Sequence, residues 1–431
     1  MGPPETRVSA SAVQAIGQGR GAAELPGRSL RILFVTSRFP HPPLKGDQLR
    51  AWHQIRRLGE RHLITLAYLA RGPAAAHEAL AGSCERIVAV PFGPAAMARG
   101  LLRGLFSRLP LQASLYRTPA MRKALRRLTT DPFDLVHVQL ARMAPYLEEG
   151  VCPRPWVVDL VDALSLGMER RVREEWGPAR LVARIEARRL RRYERELGAR
   201  ADRTVVVSRR DREAIGDVPG LCIVPNAVDL EAFPFAGHDR EPATVVFSGN
   251  MGYFPNVNAA VWFAREVLPR VRRVLSEARF LIVGARPTRA VRSLVKDPAV
   301  TVTGQVEDVG PYLRRATVAV APMRSGSGQQ FKILEAMASG APIVATAAEA
   351  EQVGAEHDRE LLVADEPSAF AEAVLALLLD PARAQGLAER ARRLVERHFT
   401  WQSSVDALEA VYESALLERS PGRKALAARP F

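Results

Sequence analysis

Cysteine is scarce in this chain of 431 residues, which contains only Cys84, Cys152 and Cys222. The three are far apart and follow no metal-binding or redox spacing, so the sequence predicts a cytoplasmic protein with reduced thiols and no structural zinc. Long hydrophobic runs are also missing. Apolar stretches such as "TVVVS" and "FLIVG" are strand-sized and fall short of the roughly 20 residues of a membrane helix.

The two ends of the sequence lack the features of folded or targeting segments. Residues 1–27 contain no apolar signal core, and we expect them to form a disordered tail. Residues 420–431 are predicted to be disordered as well. The folded part of the chain is therefore expected to begin near residue 28, and the length of the chain suggests about two or three domains.

Acidic residues are absent between Glu85 and Asp131, although the whole chain carries a net charge of +14. Leucines and a phenylalanine are interleaved with the basic residues of this interval, which are Arg99, Arg103, Arg108, Arg117, Arg122, Lys123, Arg126 and Arg127. A basic amphipathic segment can lie on an anionic membrane surface. Residues 97–127 are thus a candidate for peripheral membrane contact. The alternative is a solvated helix face.

Strand-like and helix-like segments alternate along the chain and restart halfway. "LRILFVTS", "HLITLAYLA" and "FDLVHVQL" in the first half are apolar on both faces, and so are "ATVVFS", "RFLIVG" and "TVAVAP" in the second. This pattern is typical of parallel sheets covered by helices, and the restart indicates two of them. We predict an α/β protein with an N-terminal domain at 28–235, a C-terminal domain at 236–395 and C-terminal helices at 396–419.

One stretch, "APMRSGSGQQFKILEAMASGAPIVAT" from Ala321 to Thr346, concentrates candidate functional residues. A glycine loop follows a buried strand and precedes a helix that carries Lys332 and Glu335 on one face. Ligands of parallel sheets bind at the carboxyl ends of strands, and a helix N-terminus favours phosphate. Lys332 would add a positive charge to a diphosphate, and Glu335 would accept hydrogen bonds from ribose. The alternative is a flexible loop with a surface Lys–Glu pair.

Two common phosphate-binding motifs are excluded. The chain has no G-x-x-x-x-G-K-[ST] sequence, and Phe331 follows the glycines where a dinucleotide fingerprint requires a third glycine.

The segment "KILEAMASGAPIVAT" resembles the donor-site signature of GT-B glycosyltransferases of family 4. "IVPNAVDLEAF", "VVFSGNMGYFPNVNAAVWFAREVLP" and "VTGQVEDVGPYL" are also similar to segments of that family. "FPHPPLKGDQLRAWHQIRRL" and "VVDLVDALS" look like the sugar transferases associated with exosortase and exopolysaccharide loci. The resemblance spans roughly residues 31–418. It implies two Rossmann-like doubly wound parallel-sheet domains that face a cleft.

The resemblance implies a role for individual residues. In the C-terminal domain it implies donor binding by Gly249, Asn250, Gly284, Arg286, Asp308, Arg324, Gly326, Ser327, Gly328, Gln330, Lys332 and Glu335. In the N-terminal domain the acceptor side would be formed by Lys45, Gly46, Asp47 and Arg50. His137 corresponds to a position where the family often has a histidine that faces the cleft. The catalytic candidates are therefore His137, Lys332 and Asp47, and no metal ligand is expected.

The chain departs from the family pattern at three places. Ser327 stands where the first of two glutamates usually contacts the donor sugar, and Gln139 stands where a second histidine is common. The loop "SGNMGYFPN" lacks the Arg and Lys that often hold the diphosphate, so Arg324 and Lys332 are expected to carry more of that task.

Five residues also have interpretations that do not involve the resemblance. Asp159 and Asp162 could form a pair of catalytic carboxylates or act as turn and cap residues. Asp47 could activate an acceptor hydroxyl or simply form a turn after Gly46. His137 could instead be a hydrogen-bonded histidine at a strand end. Ser208, after "TVVV", is interpreted as a helix N-cap.

The resemblance therefore implies a retaining, metal-independent glycosyltransferase of the hexosyl type that needs no cofactor. It would transfer a sugar from a UDP- or GDP-sugar to a glycan or lipid-linked acceptor in cell-surface or extracellular polysaccharide synthesis, in the cytoplasm or at the inner face of the membrane. A nucleotide-sugar epimerase and an inactive sugar-binding scaffold remain alternatives. Nucleic acid is not expected as a partner, because no recognised motif accompanies the basic charge.

Overall fold

Two parallel β-sheets form the framework of the protein. The computed structural model describes residues 28–72, 77–148, 150–174, 176–237, 240–324 and 331–418. Within these ranges the chain forms an N-terminal lobe with a seven-stranded sheet and a C-terminal lobe with a six-stranded sheet. Helices cover both faces of each sheet, so the predicted α/β class with two Rossmann-like lobes is confirmed.

The N-terminal lobe has the strand order β3-β2-β1-β4-β5-β6-β7, and all neighbouring strands are parallel. The strands are β1 (Arg31–Thr36), β2 (Leu63–Ala70), β3 (Arg86–Pro91), β4 (Leu135–Gln139), β5 (Trp156–Val161), β6 (Arg203–Val206) and β7 (Leu221–Ile223). Central strands are buried on both faces, which explains their uninterrupted runs of Val, Leu and Ile.

The helices of this lobe alternate with its strands. They are α1 (Gly46–Leu58), α2 (Pro94–Leu105), α3 (Leu111–Tyr116), α4 (Pro119–Leu128), α5 (Leu164–Glu174), α6 (Gly177–Arg200) and α7 (Arg209–Ile215), with short 3₁₀ helices at His77–Leu80 and Ala141–Tyr146. Helix α7 begins at Ser208, whose hydroxyl accepts a hydrogen bond from the Asp211 amide over 3.2 Å. The predicted N-cap at Ser208 is confirmed.

The C-terminal lobe repeats the same arrangement with the order β10-β9-β8-β11-β12-β13. Its strands are β8 (Glu241–Ser248), β9 (Arg279–Val283), β10 (Val300–Val302), β11 (Ala316–Ala321), β12 (Ile343–Ala345) and β13 (Leu362–Val363). In both lobes the strand order reverses between the first strand and the fourth, which are β1 and β4 in one and β8 and β11 in the other.

The helices of the C-terminal lobe are α8 (Phe254–Trp262), α9 (Leu268–Val274), α10 (Arg289–Arg292), α11 (Gly310–Arg315), α12 (Phe331–Ala338), α13 (Ala347–Val353), α14 (Pro367–Leu379) and α15 (Pro381–His398), with a short 3₁₀ helix at Ser293–Lys296. Helices α8 and α9 follow each other closely but do not form one regular helix. A π-helical turn, Phe263–Val267, instead separates the two helices. Pro269 follows this turn and has no amide hydrogen to donate to a regular helix.

The last helix, α16 (Trp401–Leu417), crosses back and packs on the N-terminal sheet. Val405, Leu408 and Tyr412 are fully buried there beside residues of β1 and α1. The two segments that connect the lobes also pair with each other, since the Val228 amide donates to the Phe399 carbonyl over 2.9 Å. Both connections therefore run side by side between the lobes.

Among the helices that the structure describes, none is long and apolar enough to cross a membrane.

Candidate functional site

Lys332 lies in the first turn of α12, just beyond the carboxyl end of β11, as the sequence predicts for a phosphate ligand. The side chain is half-buried, and its ammonium group donates to the Oδ1 atom of Asn256 over 2.5 Å. The same group lies 4.9 Å from the centre of the Phe247 ring. The glycine loop that precedes α12, with the predicted ligands Gly326, Ser327, Gly328 and Gln330, lies outside the described residues.

Burial lowers the pKa of Lys332 to about 8, against the opposing effect of Glu349 and Glu335. No carboxylate of the described residues forms an ion pair with its ammonium group within 4.0 Å. The lysine is therefore a desolvated cation held by a neutral amide. Such a group is suited to bind an anionic ligand, because the negative charge of a phosphate would compensate for the contact with water that burial removes.

Glycine backbone forms the surface next to this ammonium group. Gly249 follows β8, and an added Cβ there would lie 2.7 Å from Nδ2 of Asn256 and 3.4 Å from Nζ of Lys332. Gly284 follows β9, and its added Cβ would lie 1.8 Å from the Gly249 carbonyl oxygen. Both glycines have positive φ angles, 152° and 148°. Only glycine fits at Gly284, and the contact lets two strand-end loops meet directly beside Lys332.

The other predicted donor-side residues of this edge shape its loops. Asn250 closes a turn, since its Oδ1 accepts from the Gly252 amide over 3.0 Å and its carbonyl accepts from Asn256 Nδ2 over 3.0 Å. Arg286 lies against Gly252 in a left-handed backbone conformation, with φ at 57°. The guanidinium of Arg324 lies 5.8 Å from the Trp262 ring centre. The structure thus brings Asn250 and Arg286 to one place beside Gly249.

Glu335 lies one turn along α12 from Lys332 and is half-buried. Burial raises the pKa of its carboxyl to about 7, Lys332 opposes this shift, and Asp308 adds to it. Asp308 accepts a hydrogen bond from the Gly310 amide over 2.7 Å at the start of α11. Glu335 therefore interacts electrostatically with both Lys332 and Asp308.

Glu349 is a site residue that the sequence analysis missed. It lies in the first turn of α13, beyond the carboxyl end of β12, and is only 1% exposed. Among the described residues its Oε2 atom has no hydrogen-bond partner. Burial raises the pKa of Glu349 to about 7, while Lys332 and two arginines of the other lobe, Arg210 and Arg170, lower it. A buried carboxyl group, one oxygen of which has no hydrogen-bond partner among the described residues, thus lies near charged groups of both lobes.

A sequence signal for Glu349 exists, although it is weak. "VATAAEAE" places a glutamate four residues after a buried strand. The end of such a strand is the edge where ligands of parallel sheets bind. The second glutamate of this segment, Glu351, is exposed. Sequence alone does not say which of the two points inward, because the turn between β12 and α13 sets the direction.

The predicted acceptor loop reaches the donor helix. An added Cβ at Gly46 would lie 3.1 Å from the Phe331 ring, so the start of α1 touches the start of α12 across the cleft. Asp47 forms an ion pair with Arg38 at 3.1 Å. Its carbonyl accepts a hydrogen bond from Gln139 over 3.1 Å. Gln139, a departure from the family pattern, therefore holds this loop at the end of β4.

Arg50, in contrast, does not face the cleft, which corrects its predicted place on the acceptor side. Its side chain is fully buried and donates to Asp159 over 2.7 Å. It also donates to the carbonyls of Val224 and Pro225 over 3.0 and 3.2 Å. The guanidinium thus joins α1 and β5 to the segment that leads into the C-terminal lobe. Asp159 is occupied by this pair, so it is not free to form a catalytic carboxylate pair with Asp162.

His137 is likewise buried rather than exposed to the cleft, contrary to expectation. Its Nδ1 atom lies 2.8 Å from the Tyr412 hydroxyl of α16, and its ring stacks on Phe34 with centroids 4.1 Å apart. Burial lowers the pKa of His137 to about 4, Asp159 opposes this shift and Arg50 adds to it. A neutral histidine covered by the last helix has no route to a substrate.

Within the described ranges, no cluster of three or more His, Cys, Asp or Glu side chains is placed to hold a metal ion.

Comparisons with known proteins agree with this geometry. Residues 242–380, which contain Gly249, Lys332, Glu335 and Glu349, match the family model "Glycosyl transferases group 1". A phosphatidyl-myo-inositol mannosyltransferase of Mycobacterium leprae is 27% identical over 327 residues, which cover 70% of this chain and 79% of the relative.

Solved structures share the two-lobed architecture. Sucrose-phosphate synthase from Thermosynechococcus elongatus superposes with a TM-score of 0.67 at 17% identity, covering 93% of this chain and 100% of that one. Anabaena HepE in complex with UDP and glucose gives 0.62 at 15% identity, with coverages of 89% and 100%. At such identities the likeness concerns the fold alone. Residues 242–380 thus form a glycosyltransferase group 1 domain, within a chain that has the GT-B fold.

Proposed function

We propose that this chain is a retaining, metal-independent glycosyltransferase of family 4. It would move a hexose from a nucleotide-diphosphate sugar to a glycan or lipid-linked acceptor in exopolysaccharide synthesis, as its resemblance to the exosortase-associated transferases implies. The observation that carries the proposal is the desolvated Lys332 ammonium, held by Asn256 against the Gly249 backbone at the carboxyl edge of the C-terminal sheet. The group 1 family match over the same residues supports it.

In this proposal the donor binds along the edge formed by β8, β9, β11 and β12. Lys332 stabilises the diphosphate as the bond between the sugar C1 atom and the phosphate oxygen breaks. A bond forms between C1 and the acceptor hydroxyl, whose proton passes to the leaving phosphate. Glu335 binds the ribose. Glu349 accepts hydrogen bonds from the sugar, the task for which Ser327 has no carboxylate.

The test is a binding comparison with matched lysine variants. Thermal shift and calorimetry with UDP, GDP, ADP and dTDP would first identify the preferred nucleotide, since a ligand at about 100 times its Kd stabilises the protein by roughly 2.7 kcal/mol. Lys332→Met should then weaken its binding by about 10- to 100-fold, because a charge-assisted contact is lost. Lys296→Met is the control, because Lys296 is an exposed lysine of the same lobe. Equal affinities of the two variants would contradict the diphosphate assignment.

The same proposal includes contact with a membrane, through a shorter segment than the residues 97–127 that the sequence suggests. Leu101, Leu102, Leu105 and Phe106, at and after the end of α2, are all exposed, Phe106 to 93%. Arg99, Arg103 and Arg108 are exposed beside them. Arg117 and Arg122 instead form ion pairs with Glu148. We therefore place the membrane-facing surface at residues 99–108, with an acceptor delivered from the lipid surface.

Vesicle flotation would check this placement. Phe106→Asp and Leu102→Asp should reduce binding to vesicles that contain anionic lipid, because each removes an apolar contact and adds a repelled charge. Val274→Asp, at an exposed valine of the other lobe, is the matched control. Binding that is equal for all three variants would remove the membrane from the proposal.

A further inference from the structure

A cavity lies in the N-terminal lobe, on the same side as the cleft. Its volume is about 260 Å³. It opens at the carboxyl ends of β1 and β2, and its walls include Arg38, Lys45, Tyr68, Arg71 and Tyr116. Because the strand order of this sheet reverses between β1 and β4, the cavity lies beside the crevice in which open parallel sheets bind ligands.

Two guanidinium groups meet at the hydroxyl of Tyr116, a residue of the cavity wall. The Tyr116 hydroxyl accepts from Arg71 over 3.0 Å and from Arg142 over 3.5 Å. Both guanidinium carbons also lie over the Tyr116 ring, at 5.5 and 5.2 Å from its centre. Burial alone would raise the pKa of Tyr116, but Arg142, Arg71 and Arg38 together lower it. The cavity wall is therefore strongly electropositive.

The positive charge of the cavity is only partly balanced by acidic side chains of the described residues. Arg38 is paired with Asp47, but across the described residues no carboxylate forms an ion pair within 4.0 Å with Lys45, Arg71 or Arg142. Among the described residues, the buried Nε atom of Arg142 has no hydrogen-bond partner. Burial lowers the pKa of Lys45, and Arg38 lowers it further. Grouped cations without partners are unfavourable unless a ligand supplies negative charge.

The position of the cavity connects it to both proposed substrates. Lys45 precedes Gly46, the residue that touches Phe331 next to Lys332. Tyr116 ends α3, which packs tightly on α2 because an added Cβ at Gly100 would lie 2.6 Å from the Leu115 carbonyl oxygen. The cavity thus lies between the donor site and the surface at residues 99–108.

We propose that this cavity binds a phosphate group of the acceptor, with Arg71 and Lys45 of its wall as the ligands and Arg142 adding positive charge behind Tyr116. The inference rests on the proposed function and specifies the acceptor as a phosphorylated molecule, either a soluble phosphorylated glycan or a lipid-linked one. Guanidinium forks match phosphate oxygens in pairs. The rings of Tyr68 and Tyr116, also in the cavity wall, would contact part of the group that carries the phosphate.

The experiment measures binding of glycerol 3-phosphate to the full-length protein by calorimetry, with glycerol as the uncharged control. Arg71→Met and Lys45→Met should each weaken binding by about tenfold or more, because each removes a charged partner of the phosphate. Lys45 is exposed, so its variant is expected to fold. Arg126→Met is the matched control, since Arg126 is an exposed arginine of the same lobe.

The outcomes separate this inference from the proposed function. If Arg71→Met and Lys45→Met bind glycerol 3-phosphate as tightly as Arg126→Met does, the cavity is not the phosphate site. Nucleotide binding that depends on Lys332 would still stand in that case. If the weakening occurs in Arg71→Met and Lys45→Met but not in Lys332→Met, the phosphate binds in the N-terminal cavity and not in the donor site.

The source of the phosphate follows from a second arm with phosphatidylcholine vesicles, with and without phosphatidic acid. A loss of vesicle binding in Arg71→Met that matches its loss of glycerol 3-phosphate binding would support a lipid-borne phosphate. A loss with the soluble probe alone would support a soluble phosphorylated acceptor.

Discussion

The two lobes have the same strand order but opposite chemistry at their carboxyl edges. In the C-terminal lobe, glycine backbone and a single ammonium group, Lys332, lie among the carboxylates of Glu335 and Glu349. In the N-terminal lobe, arginines and a lysine surround Tyr116, with Asp47 as the nearest acidic partner. A shared fold thus provides two similar edges, and the side chains that follow each strand decide which ligand each edge can bind.

The lobes also differ in what stabilises the edge. The C-terminal edge depends on backbone contact between Gly249 and Gly284. The N-terminal edge depends on a buried ion pair, Arg50 with Asp159, which extends to the connecting segment at Val224. One edge is therefore sensitive to added volume, and the other is sensitive to lost charge.

The largest effect is expected from adding volume to the C-terminal edge. Gly284→Ala should destabilise this lobe by about 4 kcal/mol or more, because the new methyl group overlaps the Gly249 carbonyl and the positive φ is unfavourable for alanine. Urea unfolding would measure this. Gly304→Ala is the control, since Gly304 also has a positive φ but no atom within 4 Å of the added Cβ. It should cost only about 1–2 kcal/mol. Equal unfolding midpoints for the two variants would contradict the steric explanation.

The next largest effect is expected from removing charge in the N-terminal lobe. Arg50→Met should destabilise the protein by roughly 3–5 kcal/mol, because it leaves Asp159 buried without its partner. Asp159→Leu in the same chain should recover much of this loss. Nucleotide affinity of the folded variant should stay as in the unaltered protein, since Arg50 lies in the other lobe. If Arg50→Met had normal stability but transferred sugar slowly, Arg50 would have to be assigned to the acceptor site after all.

These differences show which features of the fold and the site can be predicted from the sequence. The strands, the two-lobe restart and the Lys332–Glu335 pair were predictable, because each depends on residues close together in the chain. Arg50 and His137 were misplaced because their partners are distant: Val224 lies 174 residues from Arg50, and Tyr412 lies 275 residues from His137. Local pattern cannot say that a polar residue near a strand end will be covered by a helix from the end of the chain.

A smaller effect is expected from Glu349, and it distinguishes the sugar from the nucleotide. Glu349→Gln should weaken binding of the sugar nucleotide by about tenfold and leave binding of the nucleoside diphosphate nearly unchanged, because the lost carboxylate would contact only the sugar. Calorimetry with both ligands near pH 7.5, between the pKa values of about 7 for Glu349 and about 8 for Lys332, keeps the carboxylate of the unaltered protein mostly ionised and the lysine mostly protonated. Glu351→Gln, an exposed glutamate of the same helix, is the control. A parallel loss for both ligands would place Glu349 at the diphosphate instead.

The smallest effect concerns pH and follows from the lowered pKa of Lys332, about 8. Below this value the lysine is charged and binds the diphosphate. As pH rises through it, the free protein must take up a proton to bind, so affinity should fall by up to tenfold per pH unit. Titrations above about pH 7 avoid the protonation of Glu335 and Glu349, which have pKa values of about 7.

Lys332→Arg would test whether this pH dependence comes from Lys332. An arginine stays protonated throughout this range, so nucleotide affinity of the variant should be nearly constant from about pH 7 to about pH 10, even if it is lower overall. Lys296→Arg should keep the fall of the unaltered protein. If the fall near pH 8 persists in Lys332→Arg, another group titrates there. At the N-terminal edge the arginines stay protonated over this range. Phosphate affinity there should therefore fall by no more than the loss measured for Lys45→Met, because Lys45 is the one proposed ligand that titrates.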